Sequence, residues 1–246
     1  MSGQATQLAL FGSTESVVLR RSARARRLAL RVFPHGVVEV VAPLRTGQRS
    51  IEKFVHSHAA WIEKTRARFR LSQAETGFEP PGEIVLAALD ERWQVEYRPG
   101  KSRLQVAADT GGGRLVLVGP EDHQWRRQRL RQWLLARGRE GLVPWLDAVS
   151  ADLGLPYTGA TVRRQRSRWG SCSARRTISL NCALLFLEPA LVRQLFVHEL
   201  AHTRHLNHSR AFWRLVERLE PDYASLEQRL RDAWRSVPAW VSYDPA

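Results

Sequence analysis

Up to Val118 the apolar positions come in short β-branched runs. Beyond it they take the spacing of helices. Val17-Val18-Leu19-Arg20 opens a strand. Leu28 to Phe33 and Val37 to Val41 are two further runs, parted by Pro34-His35-Gly36, and predict a hairpin that Pro43 ends. Between Arg49 and Arg70, Ile51, Phe54, Val55, Ala59, Trp61 and Ile62 recur among charges, which predicts one amphipathic helix. Leu71 to Gly82, with Pro80-Pro81-Gly82, reads as a loop or linker. Strands follow at Ile84–Leu89, Trp93–Tyr97, Arg103–Ala107 and Arg114–Val118, with turns at Pro99-Gly100 and Gly111-Gly112-Gly113. No internal repeat is visible.

From Glu121 the residues Trp125, Leu130, Trp133, Leu134, Leu142, Trp145, Leu146 and Val149 carry a helical period. Gly138 and Gly141 weaken its middle and Pro144 predicts a kink or break, before Gly154 and Pro156 close it. Thr161-Val162-Arg163 and Thr177–Asn181 read as strands. A helix follows Glu188-Pro189, and two more lie near Ser209–Leu219 and Asp222–Arg235. Trp234 and Trp240 are expected to pack the C-terminal end back on the rest. The fold class is α+β, in three parts. A loose tail covers 1–14, a β-rich region with one amphipathic helix covers 15–120, and 121–246 carries the chemistry.

That chemistry centres on His198-Glu199-Leu200-Ala201-His202, an H-E-x-x-H motif preceded by Leu191, Val192, Leu195, Phe196 and Val197. The apolar approach predicts a buried helix. On it His198 and His202 lie one turn apart and share a face, so two imidazoles can bind one zinc ion. Glu199 follows the first histidine by about 100° of rotation and lies beside the metal without ligating it. A third ligand is needed for an open site. His205 shares nearly the same face, but seven residues are roughly 10.5 Å of helix rise, out of easy reach. His208 is the stronger candidate if the helix breaks near Asn207, with Ser209 capping the next helix. Cys172, Glu217 and Glu220 are the other candidates.

A second constellation is Arg166-Ser167-Arg168-Trp169-Gly170-Ser171-Cys172, whose glycine and serines predict a tight turn before the Thr177–Asn181 strand. Trp169 suits a buried anchor, and with Arg168 is a candidate for substrate binding. The strand, with Thr177, Ser179 and Asn181, is a candidate for pairing with an extended substrate by β-addition. Arg168, His205 and Tyr223 are candidates for stabilising an oxyanion.

The net charge is +14, and of 38 basic residues only Lys53, Lys64 and Lys101 are lysine. Arg163, Arg164, Arg166, Arg168, Arg175 and Arg176 crowd beside the turn. Such a surface favours an anionic partner or nucleic acid, although an arginine-rich genome gives the same preference for arginine over lysine. Two cysteines make no disulfide framework, which points to a reducing, cytoplasmic setting. No run approaches the roughly 18 apolar residues of a membrane span, and Met1 to Ser13 is not a convincing signal peptide.

Taken together, S-R-W-G-S-C, a strand ending in Leu180-Asn181, H-E-L-A-H and Asn207-His208-Ser209 with Phe212-Trp213 resemble the YgjP-like metallopeptidase family, kin of the SprT-like and WLM zinc proteases. The resemblance runs from about Val17 to Tyr223. It includes the Arg27–Val41 hairpin, Ala42-Pro43-Leu44 and the Trp61-Ile62 helix. It implies one zinc ion held by His198, His202 and His208, with Glu199 as general base, in a mini-gluzincin-like core acting on peptide or protein substrates. The metzincin pattern is excluded, because His205 stands where its glycine would and Met1 is the only methionine. Three other functions compete. One is a metal-dependent hydrolase of nucleoside triphosphates or another phosphorylated substrate, weakened by the lack of a Walker-type loop. One is a nucleic-acid-associated protease acting on bound proteins. The last is a structural zinc module with four protein ligands.

Overall fold

The computed structural model describes residues 6–9, 16–23, 25–32, 38–70, 79–165 and 168–242. The chain forms two compact units, Met1–Gly77 and Phe78–Ala246.

The first unit holds β1 (Thr6–Ala9), β2 (Ser16–Ser22), β3 (Ala29–Val32) and β4 (Val38–Pro43) in the order β1-β2-β4-β3. β2 and β4 run parallel, and each edge strand is antiparallel to its neighbour. Thr6–Ala9, expected in the loose tail, is therefore a paired strand. The expected hairpin is present as β3 and β4, while its Pro34-His35-Gly36 turn lies outside the described residues. Val17, Leu19, Val38, Val40 and Ala42 point to one face and bury against Ile51, Val55 and Ile62. On the other face Glu39 of the central β4 is bracketed by Arg20 at 3.0 Å and Arg31 at 3.4 Å.

The single helix expected over Arg49–Arg70 is two, α1 (Gln48–Ser57) and α2 (Ala59–Arg70). The break has a local cause. The Ser57 hydroxyl donates to the Phe54 carbonyl at 2.9 Å, and His58 Nδ1 lies 2.8 Å from the same oxygen. With that acceptor taken by side chains, the His58 N–H turns to the Val55 carbonyl instead. Trp61, placed on the apolar face by its spacing, is 47% exposed.

The second unit begins with β5 (Glu83–Leu86), β6 (Glu91–Arg98), β7 (Arg103–Asp109) and β8 (Gly112–Val118), in the order β5-β6-β8-β7. Again the two inner strands are parallel and both edges antiparallel. The two sheets thus repeat one topology that the sequence does not display. Leu89, expected at the end of β5, lies in a short 3₁₀ turn instead.

α3 (His123–Leu153) follows, capped by Asp122 accepting from the Gln124 N–H and stopped at Gly154, which has φ 61°. It runs unbroken through Gly138, Gly141 and Pro144, against the expected weakening. The glycines serve close packing. A Cβ at Gly141 would stand 2.5 Å from Leu89 Cδ1, and one at Gly138 would stand 3.0 Å from Val162 Cγ1.

A three-stranded sheet comes next, of β9 (Gly159–Arg163), β10 (Gly170–Cys172) and β11 (Thr177–Asn181), ordered β10-β11-β9. Then come α4 (Pro189–Ala201), α5 (Arg210–Leu219), α6 (Tyr223–Asp232) and α7 (Ala239–Ser242). One apolar core joins Trp93 and Leu117 of the second sheet to Trp133 and Leu146 of α3, Leu180 of β11 and Phe196 of α4. That shared core is why the units part at Gly77 and Phe78 and not at 120, where the change of period suggests. Buried Arg131 donates from Nε to the Trp240 carbonyl at 2.6 Å, which fastens the C-terminal segment, as the tryptophans predict. No helix among the described residues is long and apolar enough to cross a membrane.

Glu91 ties β6 to α3. It accepts from Trp93 Nε1 at 2.9 Å and pairs with Arg137. Burial alone would raise its carboxyl pKa, but the hydrogen bonds from Arg137 and Trp93 outweigh it and hold the group below its ordinary value. A carboxylate so depressed stabilises the fold above its unfolded pKa, and the contribution is lost as pH falls through the folded one. Glu91→Gln is expected to cost about 1–2 kcal/mol at pH 7. The deficit should shrink below pH 4.5. Urea unfolding at several pH values checks both.

Candidate metal centre

α4 starts with Pro189 at its first turn and is buried on every side by Leu191, Val192, Leu195, Phe196, Val197, Leu200 and Ala201. It ends at Ala201, earlier than the expected break near Asn207. The Thr203 N–H reaches the Leu200 carbonyl, and those of Arg204 and His205 reach Ala201. This turn swings the chain round without any left-handed residue at 207. Ser209 then caps α5, accepting from the Phe212 N–H, as the sequence predicts.

The turn brings His208 back over α4. The nearest nitrogens of His198, His202 and His208 all lie within 4.8 Å of one another. His198 Nε2 and His208 Nε2 are 3.1 Å apart. Two nitrogens bound at about 2.0–2.1 Å to one tetrahedral ion sit roughly 3.4 Å apart, so the spacing fits a shared metal. Aromatic rings hold the imidazoles. Buried Phe212 stacks on His202 at 4.5 Å, and Trp213 stacks on His208 at 5.6 Å. The Phe212-Trp213 pair of the motif is thus the backing of the site.

Two of the histidines are oriented from behind. His198 Nδ1 lies 2.9 Å from Glu227 Oε1 on α6, and that oxygen also accepts from Gln194 Nε2 at 3.1 Å. His202 Nδ1 lies 3.0 Å from the His205 carbonyl. With their Nδ1 atoms so engaged, both rings turn Nε2 towards the common centre. Glu227 is a partner of the histidine cluster that sequence reasoning missed; it sits 29 residues after His198 with no motif around it.

Glu199 is 4% exposed, and its Oε2 has no hydrogen-bond partner among the described residues. Its pKa is pushed up to about 7, chiefly by burial. His198 opposes the rise, the Glu227 charge adds to it, and Arg168 and the Cys172 N–H oppose it. The carboxyl faces Gly170, where a Cβ would stand 2.8 Å from Oε1. Only glycine leaves that space.

The model of the family described as YgjP-like, metallopeptidase domain, matches residues 26–233. The chain belongs to the YgjP-like metallopeptidase family. A solved structure, the metallopeptidase zymogen of Pyrococcus abyssi abylysin, is 28% identical over 37% of this chain and 92% of its own. Its TM-score of 0.34 is too low for the two folds to be compared. No curated protein matches the chain.

The other candidate residues of this YgjP-like protein fall outside the histidine cluster. Cys172 is not in it; burial, with the Glu199 charge, pushes its thiol up to about 11. Cys182 is packed in the core. Glu220 pairs with Arg193, and Glu217 is exposed. Trp169 is a buried anchor, stacked on Trp234 at 4.0 Å and donating to the Leu230 carbonyl at 3.0 Å. Asn181 is buried too. Its Nδ2 holds the carbonyls of Gln165 and Arg168, and its Oδ1 accepts from the Ala183 N–H. Ser179 accepts from Gln165 Nε2, and the Thr177 hydroxyl lies against that of Thr158. Tyr223 stacks on Trp213, one ring further from His208. His205 contributes its carbonyl and not its ring. Arg168 is exposed beside Glu199; Arg166 and Ser167 lie outside the described residues.

Expected to pair with substrate, β11 already has β10 on one edge and β9 on the other. Among the described residues β10 has a partner on one edge only.

Replacing Glu227 by Ala is expected to weaken Zn²⁺ binding by about 10–100-fold, as lost carboxylate support of a ligand histidine does. Competition against a chromophoric chelator measures this, and unchanged affinity would show that Glu227 does not orient His198.

Proposed function

We propose that this protein is a zinc-dependent peptidase in which His198, His202 and His208 hold one zinc ion and Glu199 is the general base. The observation that carries the reading is the convergence of three imidazole nitrogens beside a buried carboxylate oxygen that has no partner among the described residues. Bound zinc would supply Lewis acidity and bring the pKa of its water down to about 7. Glu199 then takes the proton from the attacking water and passes it to the leaving amine nitrogen. Three protein ligands, and not four, leave a position open for chemistry. The mini-gluzincin-like description of the core and the cytoplasmic setting belong to the same reading; the latter is supported by two free cysteines.

An extended peptide substrate fits the free edge of β10. The Trp169 carbonyl and the Ser173 N–H bond towards β11, so the backbone groups of Gly170 and Cys172 point the other way, towards Glu199. Gly170 keeps that edge clear of side chain just where the carboxyl approaches.

Glu199→Gln is expected to retain one zinc per chain and to lose hydrolysis of casein by about 10²–10⁴-fold. Metal analysis beside a panel of proteins and nucleotides checks this. A variant that cleaves as the wild type does would remove Glu199 from the mechanism. Cleavage of nucleoside triphosphates but not casein would favour the phosphoanhydride reading.

A further inference from the structure

Beside Glu199 and His198 a pocket of about 370 Å³ opens between β10, α4 and α6. Leu195, Leu230 and the stacked pair Trp169 and Trp234 form its apolar wall. Arg168 and Arg231 line it as well, and both are exposed. Neither side chain has a hydrogen-bond or ion-pair partner among the described residues. The two carboxylates nearby act on them through space, Glu199 with Arg168 and Glu227 with Arg231, without a direct ion pair. Glu227 Oε1 is taken by His198 and Gln194, and Glu199 faces Gly170.

Both arginines are placed by the fold. Arg231 follows Glu227 by one turn of α6, so the helix face that supports His198 also carries the guanidinium to the pocket. The Arg168 carbonyl accepts from the buried Asn181 side chain at 2.9 Å, which fixes the backbone that Arg168 projects from.

We propose that this pocket selects an acidic side chain on a residue flanking the scissile bond, with Arg168 and Arg231 receiving its carboxylate. The proposal rests on the peptidase reading above for the term scissile bond, but not for binding. An aspartate or glutamate has the apolar stem that the leucine and tryptophan wall accommodates, and a planar carboxylate that a guanidinium grips in two parallel hydrogen bonds. A lysine there would meet two like charges. The same chemistry could come from the free carboxylate at a peptide's end, which the experiment separates.

Fluorogenic peptides carrying Glu, Gln or Lys on either side of the bond, with amidated C-termini, test the preference. Glu is expected to exceed Gln in kcat/KM by about tenfold, the worth of one charge-assisted hydrogen bond. Arg231→Gln and Arg168→Gln should each pull that ratio towards one, and Arg231→Glu should favour Lys. Binding is read separately on the Glu199→Gln protein, by tryptophan fluorescence on adding N-acetyl-glutamate amide or N-acetyl-glutamine amide. Saturable quenching by the first alone, lost with Arg231→Gln, supports the pocket even if no peptide is cleaved, in which case only the peptidase reading fails. Equal cleavage of Glu and Gln peptides overturns the proposal. So does a preference that appears only when the C-terminus is left free, and so does equal binding of the two amides.

Discussion

A helix that is apolar all round must be enclosed, and the enclosure of α4 governs the rest of the second unit. Its last turn emerges from the core carrying His198 and Glu199, with the polar atoms of both left to find partners in a nearly dry place. Unpaired polar groups are costly there, so each neighbour is committed. Glu227, itself held by Gln194, meets His198 on one side, and Gly170 makes room for Glu199 on the other. Among the described residues the Glu199 Oε2 is left without a partner beside the histidines, as are the Gln194 Oε1 and the Thr203 Oγ1.

The sequence made the motif half of this site legible. His198, His202 and His208 are read from spacing and from the Asn207-His208-Ser209 run, and Ser209 caps its helix as expected. What the spacing did not reveal is why the helix ends where it does. The turn after Ala201 is made by ordinary backbone hydrogen bonds, with no residue that advertises a stop. Glu227 and Arg231 were hidden for a different reason. Glu227 meets a histidine 29 residues away in the chain and Arg231 lines a pocket built from three elements, and a charged residue on an amphipathic helix looks the same whether it faces water or a histidine.

The strand Thr177–Asn181 was correctly read as a strand and wrongly expected to have an open edge. Local pattern predicts extended backbone; pairing partners are a matter of topology. The same limit applies to the two four-stranded sheets. Their common order, with parallel inner strands and antiparallel edges, appears only in the register. The split between α1 and α2 was overlooked because Ser57 and His58 disturb one carbonyl without disturbing the apolar spacing.

The three histidines are not equally held. His198 and His202 sit at the end of a buried helix, while His208 lies in an exposed stretch next to Leu206, which is 66% exposed. As ligands of the proposed zinc, two of them would therefore be a standing floor and the third a clasp. In the proposed zinc centre, ion exchange would run through local opening of this exposed stretch, at the cost of the His208 ring contacts with Phe212 and Trp213, while the core stays folded. The rate at which such a centre fills and empties would then be a property of that short stretch and not of the stability of the whole unit.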